Sequence, residues 1–312
     1  MRLGYPKRGV LAGIFILLLA GCVTVKVSLF EEPRPLKEKV ISGTGRDKIL
    51  LVDISGIIVE GPRRGFLSLK GLTRPDRIKE ELEKAAKDKH IKAVVLRINS
   101  PGGTVSGADV VLHELLAFKA EQNLPVVACL TGLATSGGYY VAQAADTIVA
   151  YPTCITGSIG VLSMKLNLKG LMDKVGVDGE IVKSGRWKDF WSPFRPATPE
   201  EKRMMQEIID DFYRGFVEVV AKGRKLKLEE VRRVADGRIF TASQAKDLGL
   251  VDQLGYLDDA LEMAKKAAGL EEARVVMYHR PDSYRPTIYS QLPELDLLGG
   301  PQFLYLWWPG EL

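Results

Sequence analysis

The sequence predicts an α/β fold in which a parallel sheet is covered by helices on both faces. Two observations carry that prediction: runs apolar throughout rather than alternating, and helical segments of ten or more residues between them. A strand apolar on both sides belongs inside a sheet, and parallel neighbours need a crossover long enough to hold a helix. At 312 residues, 46% hydrophobic and 27% charged, the chain can bury a large core, and its usage excludes a disordered, collagenous or multi-span membrane protein.

Ile49 to Ile54 is apolar except for Asp53 and reads as a core strand, with Gly56 to Val59 continuing into the next. A loop follows from Gly61 to Pro75. Asp76 offers an N-cap for a helix on which Ile78, Leu82, Ala85 and Ala86 recur at helical spacing, and Ala93 to Ile98 is the next strand. This β-α-β pattern repeats as a helix over Gly107 to Ala120, a strand Val126 to Leu130, a helix Ser136 to Ala145 and a strand Thr147 to Ala150. Gly179 to Val182 is strand-like. Glu200 to Val220 reads as a long helix, and Leu228 to Ala235, Ala242 to Asp247 and Leu257 to Ala268 as shorter ones.

The two ends differ from this middle. Met1 to Arg8 is cationic, Gly9 to Gly21 is uncharged, and the run closes as Leu19-Ala20-Gly21-Cys22, the plan of an export signal. Small residues leading into a cysteine resemble the lipobox of bacterial lipoproteins, which implies a lipid on Cys22; an uncleaved membrane anchor is the alternative. Both place the chain at the extracytoplasmic face of a cell membrane. The expected organisation is a signal peptide over 1–21, a Pro- and charge-rich stalk over 22–46, one domain over 47–279 and a tail over 280–312. That tail ends in Phe303-Leu304-Tyr305-Leu306-Trp307-Trp308 and reads as an extension packing on a neighbour, with membrane-surface contact or occupation of a binding groove as alternatives.

Composition also narrows the chemistry. The net charge of +5 includes Arg2, Lys7 and Arg8 of the leader, and no Lys/Arg block is interleaved with aromatics, so nucleic acid is not an expected partner. Cys129 and Cys154 lie in apolar stretches and are expected as buried free thiols. His90, His113 and His279 all lie outside the glycine-rich turns, no His-x-x-x-His or Cys-x-x-Cys pair is present, and no phosphate-binding glycine loop joins a strand to a helix. Neither metal nor nucleotide cofactor is expected.

Two glycine-rich turns remain at strand ends, where open α/β sheets build their sites. In Asn99-Ser100-Pro101-Gly102-Gly103, the proline fixes one torsion and the glycines allow peptide N–H groups to face an incoming oxygen. In Thr135-Ser136-Gly137-Gly138-Tyr139-Tyr140, Ser136 stands at a helix N-terminus, where the local field favours a developing oxyanion. Taken alone, the first is an ordinary turn and the second an ordinary N-cap. A serine nucleophile needs a base, and without a suitable histidine the candidates are carboxylates or a neutral lysine. The segment Lys183-Ser184-Gly185-Arg186-Trp187-Lys188-Asp189 supplies lysines, and Trp187 and Phe190 could form the dry wall that would lower an amine's proton affinity.

The two turns, followed by Thr156-Gly157-Ser158-Ile159-Gly160 and then Lys183-Ser184-Gly185-x-x-Lys188-Asp189, resemble in this order the bacterial signal peptide peptidase A family, also called protease IV, in its short single-domain form. The resemblance spans Ile49 to Ala268. It implies a Clp-protease/crotonase-like β-β-α superhelix assembled into membrane-standing rings, and a Ser-Lys dyad with Ser136 as nucleophile and Lys188 as general base. It also implies that Ser158 orients the lysine, that the N–H groups of Gly103 and Gly137 form the oxyanion hole, and that substrates are extended apolar peptides such as released signal-peptide remnants. A crotonase-type acyl-CoA enzyme, or a catalytically silent peptide-binding lipoprotein, are the alternative readings.

Overall fold

The apolar runs become the centre of a single sheet. The computed structural model describes residues 35–60, 72–280 and 303–306, so the leader, Cys22 and most of the tail lie outside the described residues. In chain order the strands are β1 (Lys37–Ser42), β2 (Lys48–Ser55), β3 (Ile91–Ser100), β4 (Gly102–Thr104), β5 (Val126–Thr135), β6 (Thr147–Ala150), β7 (Ile155–Gly157), β8 (Leu162–Ser163), β9 (Ile239–Thr241), β10 (Gln253–Leu254), β11 (Arg274–His279) and β12 (Phe303–Leu306). The helices are α1 (Pro75–Ala86), α2 (Val105–Gln122), α3 (Gly137–Ala142), α4 (Lys169–Val175), α5 (Pro199–Arg224), α6 (Leu228–Arg232), α7 (Ala242–Asp247) and α8 (Leu257–Ala267).

The main sheet runs β1-β11-β2-β3-β5-β6-β10, parallel except for β1 at one edge, and β7 adds to β5 and carries β9 antiparallel. A core strand, a short second pairing segment and a helix recur in order: β2, Ile58 and α1; then β3, β4 and α2. Leu50, Val52 and Ile54 of β2 share one face with Val94, Leu96 and Ile98 of β3, and α1, α2, α3 and α5 close over them. Alternate residues Ile49, Leu51, Ala93, Val95 and Val127 face the other way, where Ala260 and Ala264 let α8 approach closely. Burying each such Leu or Ile is worth about 1.5–3 kcal/mol, which is why the run reads as continuously apolar. Cys129 and Cys154 are free and buried, and burial pushes both thiols up to about 12.

Several boundaries differ from the sequence expectation. The stalk expected over 22–46 includes β1, which pairs antiparallel with β11; its polar residues belong to an edge strand whose side chains face water. The residue at the N-cap of α1 is Arg74 rather than Asp76, because Pro75 with its fixed φ takes the first helical position. Gly56 to Val59 forms no strand; Ile58 makes single bridges to Thr73 and Gly103. Gly179 to Val182 is an exposed loop. The long helix extends to Pro199–Arg224, its start set by a capping box in which Thr198 Oγ1 accepts from the Glu201 N–H at 3.1 Å and the Glu201 carboxylate accepts from the Thr198 N–H at 2.8 Å.

Candidate active site

β5 serves two partners in turn. Its first half lies between β3 and β6, and its second half pairs with β7, Leu133 opposite Ile155 and Thr135 opposite Gly157. The next residue on each strand is a serine. Ser136 and Ser158 both turn out of their strands with positive φ, +53° and +50°, and the Ser136 N–H donates to the Gly157 carbonyl at 2.8 Å. A non-glycine residue in such a conformation costs on the order of 1–3 kcal/mol and persists only where its surroundings enforce it. Here the enforcement is visible: Gly157 turns at φ +86°, Thr156 Oγ1 donates to the Ala134 carbonyl at 2.6 Å, and Gly138 packs on Ser100 with no room for a Cβ.

The strained turn aims Ser136 away from the ordinary capping role. Its side chain makes no cap hydrogen bond to α3, it is 1% exposed, and Oγ has no hydrogen-bond partner among the described residues. A buried hydroxyl without a partner forfeits about 1–3 kcal/mol, so Ser136 is held here at a cost that no hydrogen bond among the described residues offsets. The Gly137 N–H lies at the start of α3, among the first-turn amides that have no carbonyl within the helix.

The other glycine turn is tied to the same place. Ser100 Oγ donates to the Gly56 carbonyl at 2.6 Å and accepts the Gly102 N–H at 3.1 Å, Thr135 Oγ1 donates to the Pro101 carbonyl at 3.2 Å, and Asn99 Oδ1 accepts the Leu133 N–H at 3.1 Å. The flanking residues of β4 bond to Ile58, with Thr104 N–H donating to the Ile58 carbonyl and Ile58 N–H to the Gly102 carbonyl, both at 2.9 Å. By strand alternation Gly103 offers its N–H to the opposite edge. A Cβ there would stand 1.8 Å from the Ile58 carbonyl oxygen, so the position demands glycine.

That edge of β4 belongs to a second, three-stranded sheet. β12 lies between β4 and β8, antiparallel to both, with Tyr305 opposite Gly103 and Leu304 opposite Leu162. The gap therefore accepts an extended backbone. Of the readings of the tail, this pairing matches occupation of a groove. Sequence reasoning missed β8, since a two-residue strand carries no period to detect.

Lys188 is not brought to the two serines within the chain. It is exposed, its amine makes no hydrogen bond or ion pair among the described residues, and Ser136 Oγ is unpartnered. The apolar wall expected beside it does not form: Trp187 is 38% exposed under the Arg186 guanidinium at 4.5 Å, and Phe190 stacks on Trp191. The stretch leading to Lys188 is instead an exposed arm of mixed charged and apolar residues, with no buried residue in α4 and with Leu171, Val175 and Val182 exposed. Among the described residues no group of His, Cys, Asp or Glu is placed to hold a metal ion.

The model of peptidase family S49 matches residues 118–271. The chain is 36% identical over 242 residues to a protein of Enterococcus faecium named as a signal peptide peptidase SppA, covering 78% of this chain and 70% of that one. It is 40% identical over 230 residues to a protease of Synechocystis sp., covering 74% and 78%. With protease 4 of Salmonella typhi it shares 33% identity over 254 residues, 79% of this chain and 40% of that longer protein. Among solved structures, a ClpP1 variant of Listeria monocytogenes matches 68% of this chain and 94% of its own at a TM-score of 0.43 and 17% identity.

Proposed function

Because this chain belongs to peptidase family S49 and is a serine peptidase, we propose that it is a membrane-tethered endopeptidase whose Ser136 and Lys188 cleave extended hydrophobic peptides such as signal-peptide remnants. The observation that carries the reading is the Ser136 hydroxyl, buried, without a hydrogen-bond partner among the described residues and held on a strained turn beside Ser158. Its Oγ attacks the scissile carbonyl while a neutral lysine amine takes the hydroxyl proton. The tetrahedral oxyanion accepts hydrogen bonds from the N–H groups of Gly103 and Gly137. The ammonium then protonates the departing amine, and water, deprotonated by the same amine, releases the acyl group from Ser136. Ser158, one residue beyond the partner of Thr135, is the group to orient the amine.

Lys188 reaches the Ser136 of a neighbouring copy in a ring-shaped homo-oligomer. Two features support this: Lys188 is exposed and its amine makes no ion pair among the described residues, and the arm before it carries Leu171, Val175 and Val182 exposed. The substrate adds as a strand between β4 and β8, where β12 shows that an extended backbone fits, so main-chain hydrogen bonds supply affinity with little regard to sequence. Cys22 provides the membrane tether at the extracytoplasmic face, either as a lipidated residue or within an N-terminal anchor.

The test is turnover of a quenched hydrophobic peptide. Ser136→Ala and Lys188→Ala should each lower kcat by at least about a thousandfold, since a dyad acts as a unit. Equal mixing of the two inactive variants should restore about a quarter of the wild-type rate, because that fraction of shared sites pairs an intact serine with an intact lysine. Wild-type turnover by either variant overturns the dyad, and no recovery on mixing places both halves in one chain. Labelling with a radioactive fatty acid decides the tether, since retained membrane binding without label means an uncleaved anchor.

A further inference from the structure

Every residue from 173 to 188 is exposed, so no buried apolar anchor fixes the approach to Lys188. The residue immediately after it is fixed by charge. Asp189 has both carboxylate oxygens occupied: Lys183 Nζ donates to Oδ1 at 2.5 Å and Arg195 Nε to Oδ2 at 2.8 Å, while Arg195 Nη2 donates to the Asp189 carbonyl at 3.0 Å. The guanidinium also grips the fully buried Glu201 in the first turn of α5, with Nη1 to Oε2 at 2.8 Å and Nη2 to Oε1 at 2.5 Å. Lys165 Nζ donates to the Arg195 carbonyl at 2.8 Å, and the Arg186–Glu200 pair lies across the same stretch. The start of α5 needs only Thr198 and Glu201 for its capping box, so the reach of Arg195 to Asp189 is not explained by the cap.

A free carboxylate next to a general base is a hazard, because it stabilises the ammonium form that cannot accept a proton. We propose that Arg195 is a positioning residue for the reaction: bridging Asp189 to Glu201, it moors the backbone of Lys188 to α5 and keeps the neighbouring carboxylate from pairing with the lysine amine. This rests on Lys188 being the general base. In keeping with the geometry, Arg195 and then Lys183 hold the Asp189 carboxyl well below the usual range, and Arg195 holds Glu201 at about 2.

The experiment measures kcat, KM, the pH dependence of kcat/KM and the thermal midpoint of the full chain on a quenched hydrophobic peptide. Arg195→Ala should lower kcat by about thirtyfold or more, with KM changed less than about threefold, because the loss is of alignment rather than of substrate contact. It should also move the rise of kcat/KM to higher pH as Asp189 Oδ2 loses its partner, Oδ1 keeping its bond to Lys183. Arg195→Lys keeps the charge but not the two-sided fork, so part of the rate returns and the rise moves back toward the wild-type position. Thr198→Ala, whose hydroxyl accepts the Glu201 N–H, should lower the midpoint and leave kcat and the pH rise in place. Wild-type kcat and pH dependence in Arg195→Ala, with Lys188→Ala inactive, would overturn the positioning role and leave the base assignment standing. Wild-type turnover by Lys188→Ala instead overturns the base assignment itself. Should Arg195→Ala fail to fold by circular dichroism, Arg195→Lys decides: an unchanged rate and profile refutes the role, and a slower rate with a shifted profile supports it.

Discussion

Replacing Gly138 by alanine tests whether α3 and the Asn99–Gly103 turn form one rigid frame. The added methyl would lie 2.8 Å from the Ser100 carbonyl oxygen and 3.2 Å from Ser100 Cβ. Ordinary contact begins near 3.4 Å, so one side must give by about 0.6 Å. Ser100 is held by its bonds to Gly56 and Gly102, which leaves α3 as the part that moves, taking Ser136 and Gly137 away from Gly103. Overpacking costs about 1–3 kcal/mol and the better helix propensity of alanine returns up to about 1, so stability should fall by no more than about 2 kcal/mol. Catalysis is more sensitive. A misplacement of about 1 Å can cost about a hundredfold, so about 0.6 Å should lower kcat by roughly ten- to thirtyfold with KM nearly unchanged. Initial rates on the quenched peptide, with a thermal melt as control, give the answer. A kcat within about twofold of wild type would refute the idea that the two turns share a frame.

Ser158→Ala should lower kcat by about tenfold to a hundredfold, short of the loss for Ser136→Ala, because the proposed mechanism has it orient the base without reacting; equal losses would contradict that division of roles. Burial raises the Glu81 carboxyl from 4.5 to about 7 despite the nearby Arg77, so the folded chain binds the extra proton and stability falls as pH rises through that window, by at most about 3 kcal/mol. Glu81→Gln should flatten this slope in urea titrations between about pH 5 and 8, and an unchanged slope would assign it to other groups. A chain ending at Arg280 loses β12 and should bind a short peptide with KM lowered about threefold or more, since a tethered competitor has gone; an unchanged KM would mean β12 does not contend with substrate.

The sheet was legible because its strands are buried on both faces, and the four motifs could be read because turns demand particular residues at particular places, as Gly103 against Ile58 shows. What stayed hidden depends on distant chain. Lys37–Ser42 is charged on the page and a strand in the fold, because pairing with β11 rather than its own composition decides its state. Asp189, Arg195 and Glu201 sit six residues apart in succession, a spacing that belongs to no regular element, so their network could not be read from periodicity. The exposure of Lys188 was likewise out of reach, since burial of a side chain can be completed by another molecule as readily as by its own.

The residue-for-residue pairing of Thr135 with Gly157 makes the chain between them a ruler. Adding or removing one residue within either paired strand would slide one serine about 3.3 Å along the other and turn its side chain to the opposite face. Insertions are therefore best borne between the exposed Pro152 and Thr153, while any indel inside Leu133–Thr135 or Ile155–Gly157 should silence the enzyme even if the protein still folds.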